Sequence, residues 1–254
     1  REASMADVLG WRGCFGIVTP STNTVVQPEY DAMCPRGVTN HVARMHIPND
    51  PMSSDADFNE LIRRIDASLE GALERVLTAE PDHVVLGISA ESIWNGGMAA
   101  ARAIRERVDR MTGGLPFTQA AEALPAALAA LGVSGPVGLV TPYFPVAHGH
   151  LAAYLAEIGC ELVAARHLQR TSPVGIARTP TEVLRAAIQN VNRPEVRAII
   201  QFGANLPMMR LAAQAEEWIG KPVIAVNAAT YWHALRSHGI ADRIPGCGRL
   251  LEEH

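Results

Sequence analysis

Two apolar runs of this chain end in the same way, Gly16-Ile17-Val18-Thr19-Pro20 and Gly138-Leu139-Val140-Thr141-Pro142, and that repetition narrows the available folds more than any other feature. A β-branched run that stops at Thr-Pro reads as a buried strand delivering a polar loop, because proline cannot donate to a sheet ladder. Two further pairs recur in the same order: Val84-Val85-Leu86-Gly87 with Ile199-Ile200-Gln201-Phe202-Gly203, and Leu115-Pro116-Phe117 with Pro222-Val223-Ile224-Ala225-Val226. Matched strand ends in matched order indicate an internal duplication. Helical spacing separates the strands, so each half reads as a small parallel sheet covered on both faces, and such sheets bind ligands at the carboxyl ends of their strands. The expected fold class is α/β, two pseudosymmetric lobes with one site between them. The pattern places an N-terminal lobe at residues 12–117 plus 228–245 and a C-terminal lobe at 118–227.

A length of 254 residues with 48% hydrophobic content supports two modest cores. The net charge of -4 leaves no basic footprint for nucleic acid or an acidic membrane surface. No apolar run approaches the ~20 residues of a membrane span, and the start of the chain lacks the apolar core of a signal peptide. The expectation is a cytoplasmic protein whose partner is a small molecule, with homo-oligomerisation left open. Cys14, Cys34, Cys160 and Cys247 are far apart and form no CxxC pair, which argues against a zinc site or a disulfide framework. His148 and His150 are two residues apart, so a helix would send their side chains in different directions, and no metal is expected. The loop after Gly87 lacks a G-x-S-x-G elbow, and Gly96-Gly97 is not a phosphate-binding fingerprint. Locally, Asp55 or Asp57 is expected to cap a helix running to about Thr78. The loop Pro48-Asn49-Asp50-Pro51 is expected to lie over the cleft.

The segments Pro20-Ser21-Thr22-Asn23-Thr24-Val25-Val26, Thr141-Pro142-Tyr143 and Gly203-Ala204-Asn205-Leu206-Pro207 give the chain a specific likeness. Over about residues 12–240 it resembles the maleate isomerase and arylmalonate decarboxylase branch of the aspartate/glutamate racemase superfamily. The resemblance implies a small carboxylate held between two lobes without a cofactor, and one or two cysteines at equivalent strand ends acting as nucleophile or proton carrier. Those cysteine positions fall here on Gly87 and Gly203. Glycine has no atom able to add to carbon or exchange a proton, so thiol chemistry is disfavoured. The vacated thiol volume is expected to admit a water or a bulkier substrate.

The binding apparatus is expected to survive. Asn23 and Tyr143 match family positions that hold a substrate carboxylate, and an amide N–H and a phenol O–H orient an anion without neutralising it. Ser21, Ser89 and Asn205, with the backbone at Gly87, Ile88, Gly203 and Ala204, complete a set suited to an enediolate or a tetrahedral oxyanion. Glu91 follows the Gly87 strand end closely, with Trp94 alongside to raise its pKa, and becomes the candidate base. Glu91, Ser89 and Tyr143 are thus the expected catalytic residues for proton transfer or water addition, such as hydrolysis of a small ring amide or lactone, or a hydration. Alternatives are an isomerase or decarboxylase in which another group replaces sulfur, and a binding protein that has lost catalysis.

Overall fold

The computed structural model describes residues 7–94 and 96–254. The first half contains β1 (Gly13–Pro20), α1 (Val26–Met33), β2 (Val38–Met45), α2 (Asp55–Ala67), α3 (Leu69–Leu77), β3 (His83–Leu86), a 3₁₀ turn (Glu91–Ile93), α4 (Met98–Thr112) and β4 (Phe117–Thr118). After α5 (Ala120–Ala130) come β5 (Gly135–Thr141), α6 (Ala147–Glu157), β6 (Cys160–His167), α7 (Pro173–Ala177), α8 (Thr181–Val191), β7 (Ala198–Gln201), α9 (Met209–Ile219) and β8 (Val223–Ala225). The chain closes with α10 (Val226–Ser237) and α11 (Arg249–Glu253).

The strands form two parallel four-stranded sheets with the same order, β2-β1-β3-β4 and β6-β5-β7-β8. The duplication read from the strand ends is therefore a duplication of topology. Both members of the repeated Thr-Pro ending finish the second strand of their sheet, and Thr19 shows why threonine suits that place. Its hydroxyl donates to the Gly87 carbonyl at 2.8 Å, tying the end of β1 to the loop after β3.

Successive strand residues face opposite sides of a sheet, and β1 sorts them accordingly. Phe15 and Ile17 join Val85, Leu139 and Ile199 in a core that is continuous between the two sheets. Val18 instead joins Leu69, Leu73, Val84 and Ile104 in a smaller cluster under α3 and α4. Helix α10 lies against α5 and α1. No helix among the described residues is long and apolar enough to cross a membrane.

Three local readings change. The helix expected from Asp55 to Thr78 is two helices broken at Ser68, whose Oγ lies 3.0 Å from the carbonyls of both Arg64 and His46 and so competes with the helix ladder. Its N-cap is Ser54, neither Asp55 nor Asp57; Asp57 is the reciprocal partner in a capping box. The short helices α7 and α11 carry no long apolar periodicity and were not expected. The Pro48–Pro51 segment does cross toward the second lobe, where Asn49 accepts from the Val174 N–H at 2.9 Å and the Met52 N–H reaches the Thr171 carbonyl at 2.7 Å.

Candidate active site between the lobes

The carboxyl ends of four strands converge on one cavity of about 50 Å³, through Pro20 at the end of β1, Ile88 after β3, Pro142 after β5 and Gly203 after β7. This is the arrangement that the repeat requires, since equivalent strands bring equivalent loops together. One wall was not foreseen as part of the site. Phe58, Leu61, Ile62 and Ile65 of α2 form an apolar stripe along the cavity, and Pro173 and Ile176 of α7 close it from the other lobe. The stripe has ordinary helical spacing, so from sequence it reads as core.

Tyr143 is the polar centre of the cavity; Ser89 and Gly87, both expected in the site, do not line it, and Ser89 stands behind Tyr143. Tyr143 stands just past β5, packs its ring on Phe58 at 4.9 Å between centroids, and places its hydroxyl 3.0 Å from Ser89 Oγ. Ser89 is fully buried and also accepts from the Ala204 N–H at 3.1 Å. Its hydroxyl thus joins the two lobes, contacting Tyr143 and Ala204 of the second from the loop after β3 of the first. Burial raises the Tyr143 pKa above its ordinary value, although Ser89 and the Ala90 backbone N–H favour the phenolate. The phenol stays neutral and can donate. The backbone N–H of Ile88, which lines the cavity, makes no hydrogen bond among the described residues and is left available to an anion.

Asn23 lines the cavity with its amide already half committed. Its Oδ1 accepts from the N–H groups of Val25 and Val26, both at 2.9 Å, and so caps α1. Nδ2, with no partner among the described residues, is the end left for a ligand. Asn205 also lines the cavity, but its side chain is spent on structure: Nδ2 donates to the Pro173 carbonyl at 2.8 Å and Oδ1 accepts from the Thr24 N–H at 3.0 Å. Ser21 lies outside the cavity. It faces a surface pocket with Arg44 and Arg75 and pairs with the Ile47 backbone, donating to the carbonyl at 3.1 Å and accepting from the N–H at 3.0 Å.

The two glycines do not leave empty thiol volume. A Cβ built on Gly203 would lie 2.3 Å from Cδ of Pro142, and one on Gly87 would lie 2.7 Å from Cγ1 of Val26. Neighbouring side chains already occupy the space, and Gly203 has φ of +141°, a conformation that favours glycine. None of the four cysteines lines the cavity.

Glu91 is the largest correction. It is absent from the cavity and instead lines a separate groove between α2 and α4 with Asn59, Asp66, Trp94 and Arg107. The 3₁₀ turn that starts at Glu91 rotates its side chain away from the strand end, so nearness in sequence does not become nearness in space. Burial, reinforced by Asp66, raises its pKa to about 8, with Arg107 opposing. Neither carboxyl oxygen has a hydrogen-bond partner among the described residues. The elevated pKa expected of a base is present, but away from the cavity. Trp94 is alongside as expected, its indole stacked on His150 of α6 at 4.3 Å.

Comparison with known proteins gives a consistent picture. The arylmalonate decarboxylase family model matches residues 15–251. A maleate isomerase from Nocardia farcinica is 28% identical over 94% of this chain and 95% of its own length. An arylmalonate decarboxylase from Bordetella bronchiseptica is 32% identical over 55% of this chain and 59% of its own. The solved structure of the Nocardia farcinica maleate cis-trans isomerase bound to TRIS superposes with a TM-score of 0.85 at 25% identity, covering 94% of this chain and 98% of that one.

Proposed function

Because the chain belongs to the arylmalonate decarboxylase family, we propose that it is a lyase that decarboxylates a small malonate-type acid carrying an apolar substituent, without a cofactor or a thiol. The coarser statement, an enzyme of the maleate isomerase and arylmalonate decarboxylase type, is the premise. The observation behind the finer reading is the cavity lining. It joins apolar walls from α2 and α7 to the neutral donors Tyr143 and Asn23, and contains no acid, amine, imidazole or thiol among the described residues.

Such a lining discriminates between reactions. Rotating a carbon-carbon double bond requires a nucleophile to add and make it single, and this cavity offers none. Decarboxylation requires no nucleophile. A carboxylate set against Leu61, Ile62 and Ile176 loses its hydration, and its departure as neutral CO₂, with its charge passed to the rest of the substrate, relieves that cost. The electron pair of the breaking C–C bond moves into the second carboxyl group, forming an enediolate. Tyr143, held neutral, and the free N–H of Ile88 are suited to stabilise its oxyanions. A proton then returns to carbon from Tyr143 or from solvent. The resemblance assigns the family cysteine positions to Gly87 and Gly203, which accords with a lining free of sulfur. Hydrolysis or hydration routed through Glu91 has no place here, because that carboxyl faces the groove.

Release of CO₂ from phenylmalonate, followed alongside conversion of maleate to fumarate, tests the reading. Decarboxylation of phenylmalonate with inert maleate is the expected result. Fumarate formation without decarboxylation would overturn it. The same uncharged lining also suits a carboxylate-binding protein without catalysis, and calorimetric binding of phenylmalonate with no turnover would favour that second reading.

A further inference from the structure

Behind the site runs an unbroken series of hydrogen bonds that ends on a carboxylate outside the cavity. Tyr143 OH lies 3.0 Å from Ser89 Oγ, which accepts from the Ala204 N–H at 3.1 Å. The Ala204 carbonyl accepts from Asn227 Nδ2 of α10 at 2.9 Å, and the same Nδ2 donates to Glu29 Oε2 of α1 at 2.7 Å. The other Glu29 oxygen accepts from the Met209 N–H at 3.0 Å, at the start of α9. Ala204 is thus held at both ends, by Ser89 through its N–H and by Asn227 through its C=O.

We propose that Glu29 and Asn227 are positioning residues, which fix the Ala204 backbone and thereby hold Ser89, which in turn aligns Tyr143 toward a bound carboxylate. The functional half of this proposal rests on the reading of the cavity given above.

The chemistry of the two side chains explains the assignment. An ionised carboxylate is acceptor-only, whereas a primary amide presents a donor end and an acceptor end that differ little in shape. With Glu29 and the Ala204 carbonyl both accepting, only Nδ2 of Asn227 can face them; the flipped amide would set Oδ1 against two oxygens. The Ala204 carbonyl and, in its ionised form, Glu29 together decide which way Asn227 points. Asn227 in turn pulls the Ala204 carbonyl toward itself, and trans peptide geometry directs the following N–H, that of Asn205, to the opposite side. Gly203, with its positive φ, is the point where the chain turns to permit this. The Glu29 carboxyl is held inside the protein, and burial raises its pKa to about 7 against the hydrogen bonds from Asn227 and Met209 that favour the anion. An acid retained in such surroundings calls for a role, and orienting Asn227 supplies one.

Glu29→Gln provides the sharpest test, because it keeps the shape and removes the anionic acceptor that holds Nδ2 of Asn227; Asn227→Ala is the second variant should the first fold poorly. Two readouts are needed in each: hydrogen exchange of the Ala204 amide by NMR, and calorimetric affinity for phenylacetate, a monocarboxylate with no group to lose as CO₂. Ala204 exchange should accelerate about tenfold or more, the equivalent of one hydrogen bond, while the Phe202 amide, bonded to the Val140 carbonyl at 3.0 Å, keeps its rate. Phenylacetate affinity should fall by a similar factor. Unchanged Ala204 exchange in both variants overturns the proposal. So does faster exchange with undiminished affinity, provided Tyr143→Phe weakens phenylacetate binding. If Tyr143→Phe also leaves that affinity untouched, the reading of the cavity fails, and Ala204 exchange alone decides whether Glu29 and Asn227 position the backbone.

Discussion

The 3₁₀ turn at Glu91–Ile93 separates two cavities of opposite character. On one side lies the cleft, walled by Ile88, Ala90 and the α2 stripe and free of ionisable groups other than Tyr143 among the described residues. On the other lies the groove, where Glu91, Asp66, Arg63 and Arg107 gather. Ile62 of α2 borders both. The segment Ile88-Ser89-Ala90-Glu91 serves each side within one turn of chain. The difference teaches that a perturbed carboxyl pKa is evidence of burial before it is evidence of catalysis. Under the proposed function, neutral donors in an apolar enclosure mark the place where a carboxylate is handled.

The contrast breaks first at Tyr143, if it breaks at all. Tyr143→Phe removes a neutral donor to an anion, an interaction worth about 1.5 to 3 kcal/mol, so affinity for phenylacetate should fall tenfold or more by calorimetry. A smaller change would take the cleft out of carboxylate recognition. Gly203→Ala comes next. Its Cβ would meet the rigid Pro142 ring at 2.3 Å in a backbone region that costs a non-glycine residue about 1–3 kcal/mol. Chemical denaturation should register that loss, and the Ala204 N–H contact with Ser89 should loosen with it. Asn23→Ala follows at about 1 kcal/mol of stability from the lost α1 cap, together with weaker phenylacetate binding from the lost Nδ2. Stability loss with unchanged binding would leave Asn23 a cap alone.

How far the sequence foretold these features depends on the scale of the physics. The duplication, the parallel sheets and the meeting of four strand ends were legible because Pro20, Gly87, Pro142 and Gly203 punctuate equivalent strands, and punctuation is a local property; the order of strands within each sheet was not. Tyr143 and Asn23 were legible through the resemblance to the family rather than through punctuation, and the fold places both on the cavity. The capping box was equally local, present as Ser54 and Asp57, and was missed only by choosing the wrong member. Side-chain direction beyond a strand end was not legible. Glu91 and Ser89 are two residues apart, yet the start of a 3₁₀ turn sends one to the groove and keeps the other between the lobes. Nor could composition reveal that Val26 and Pro142 fill the volume beside Gly87 and Gly203, because packing between segments distant in sequence leaves no local trace. Asn205 shows the same limit: its amide looks free in a list of residues and is consumed by Pro173 and Thr24 in the fold.

The smallest effect on the cleft is expected from Glu91→Gln, and its smallness is the test. If the groove and the cleft are separate, decarboxylation of phenylmalonate should stay within about twofold of the parent, far from the ~10² to 10⁴ that a lost general base removes. The substitution should declare itself in stability instead. Burial raises the folded-state pKa of Glu91 to about 8 from an ordinary value of 4.5. A carboxyl with a raised folded pKa contributes stability that is fully present below about pH 4.5 and is lost as pH climbs through about 8, because the folded protein must then bury a charge or give up the site. Glutamine carries no such cost. Glu91→Gln should therefore match or slightly trail the parent in melting temperature near pH 5 and exceed it near pH 9, the crossover lying between. Equal melting temperatures at both pH values would mean that the Glu91 carboxylate is solvated in the groove. A large loss of turnover with an unchanged stability profile would mean that Glu91 reaches the cleft after all, and the division between the two cavities would not hold.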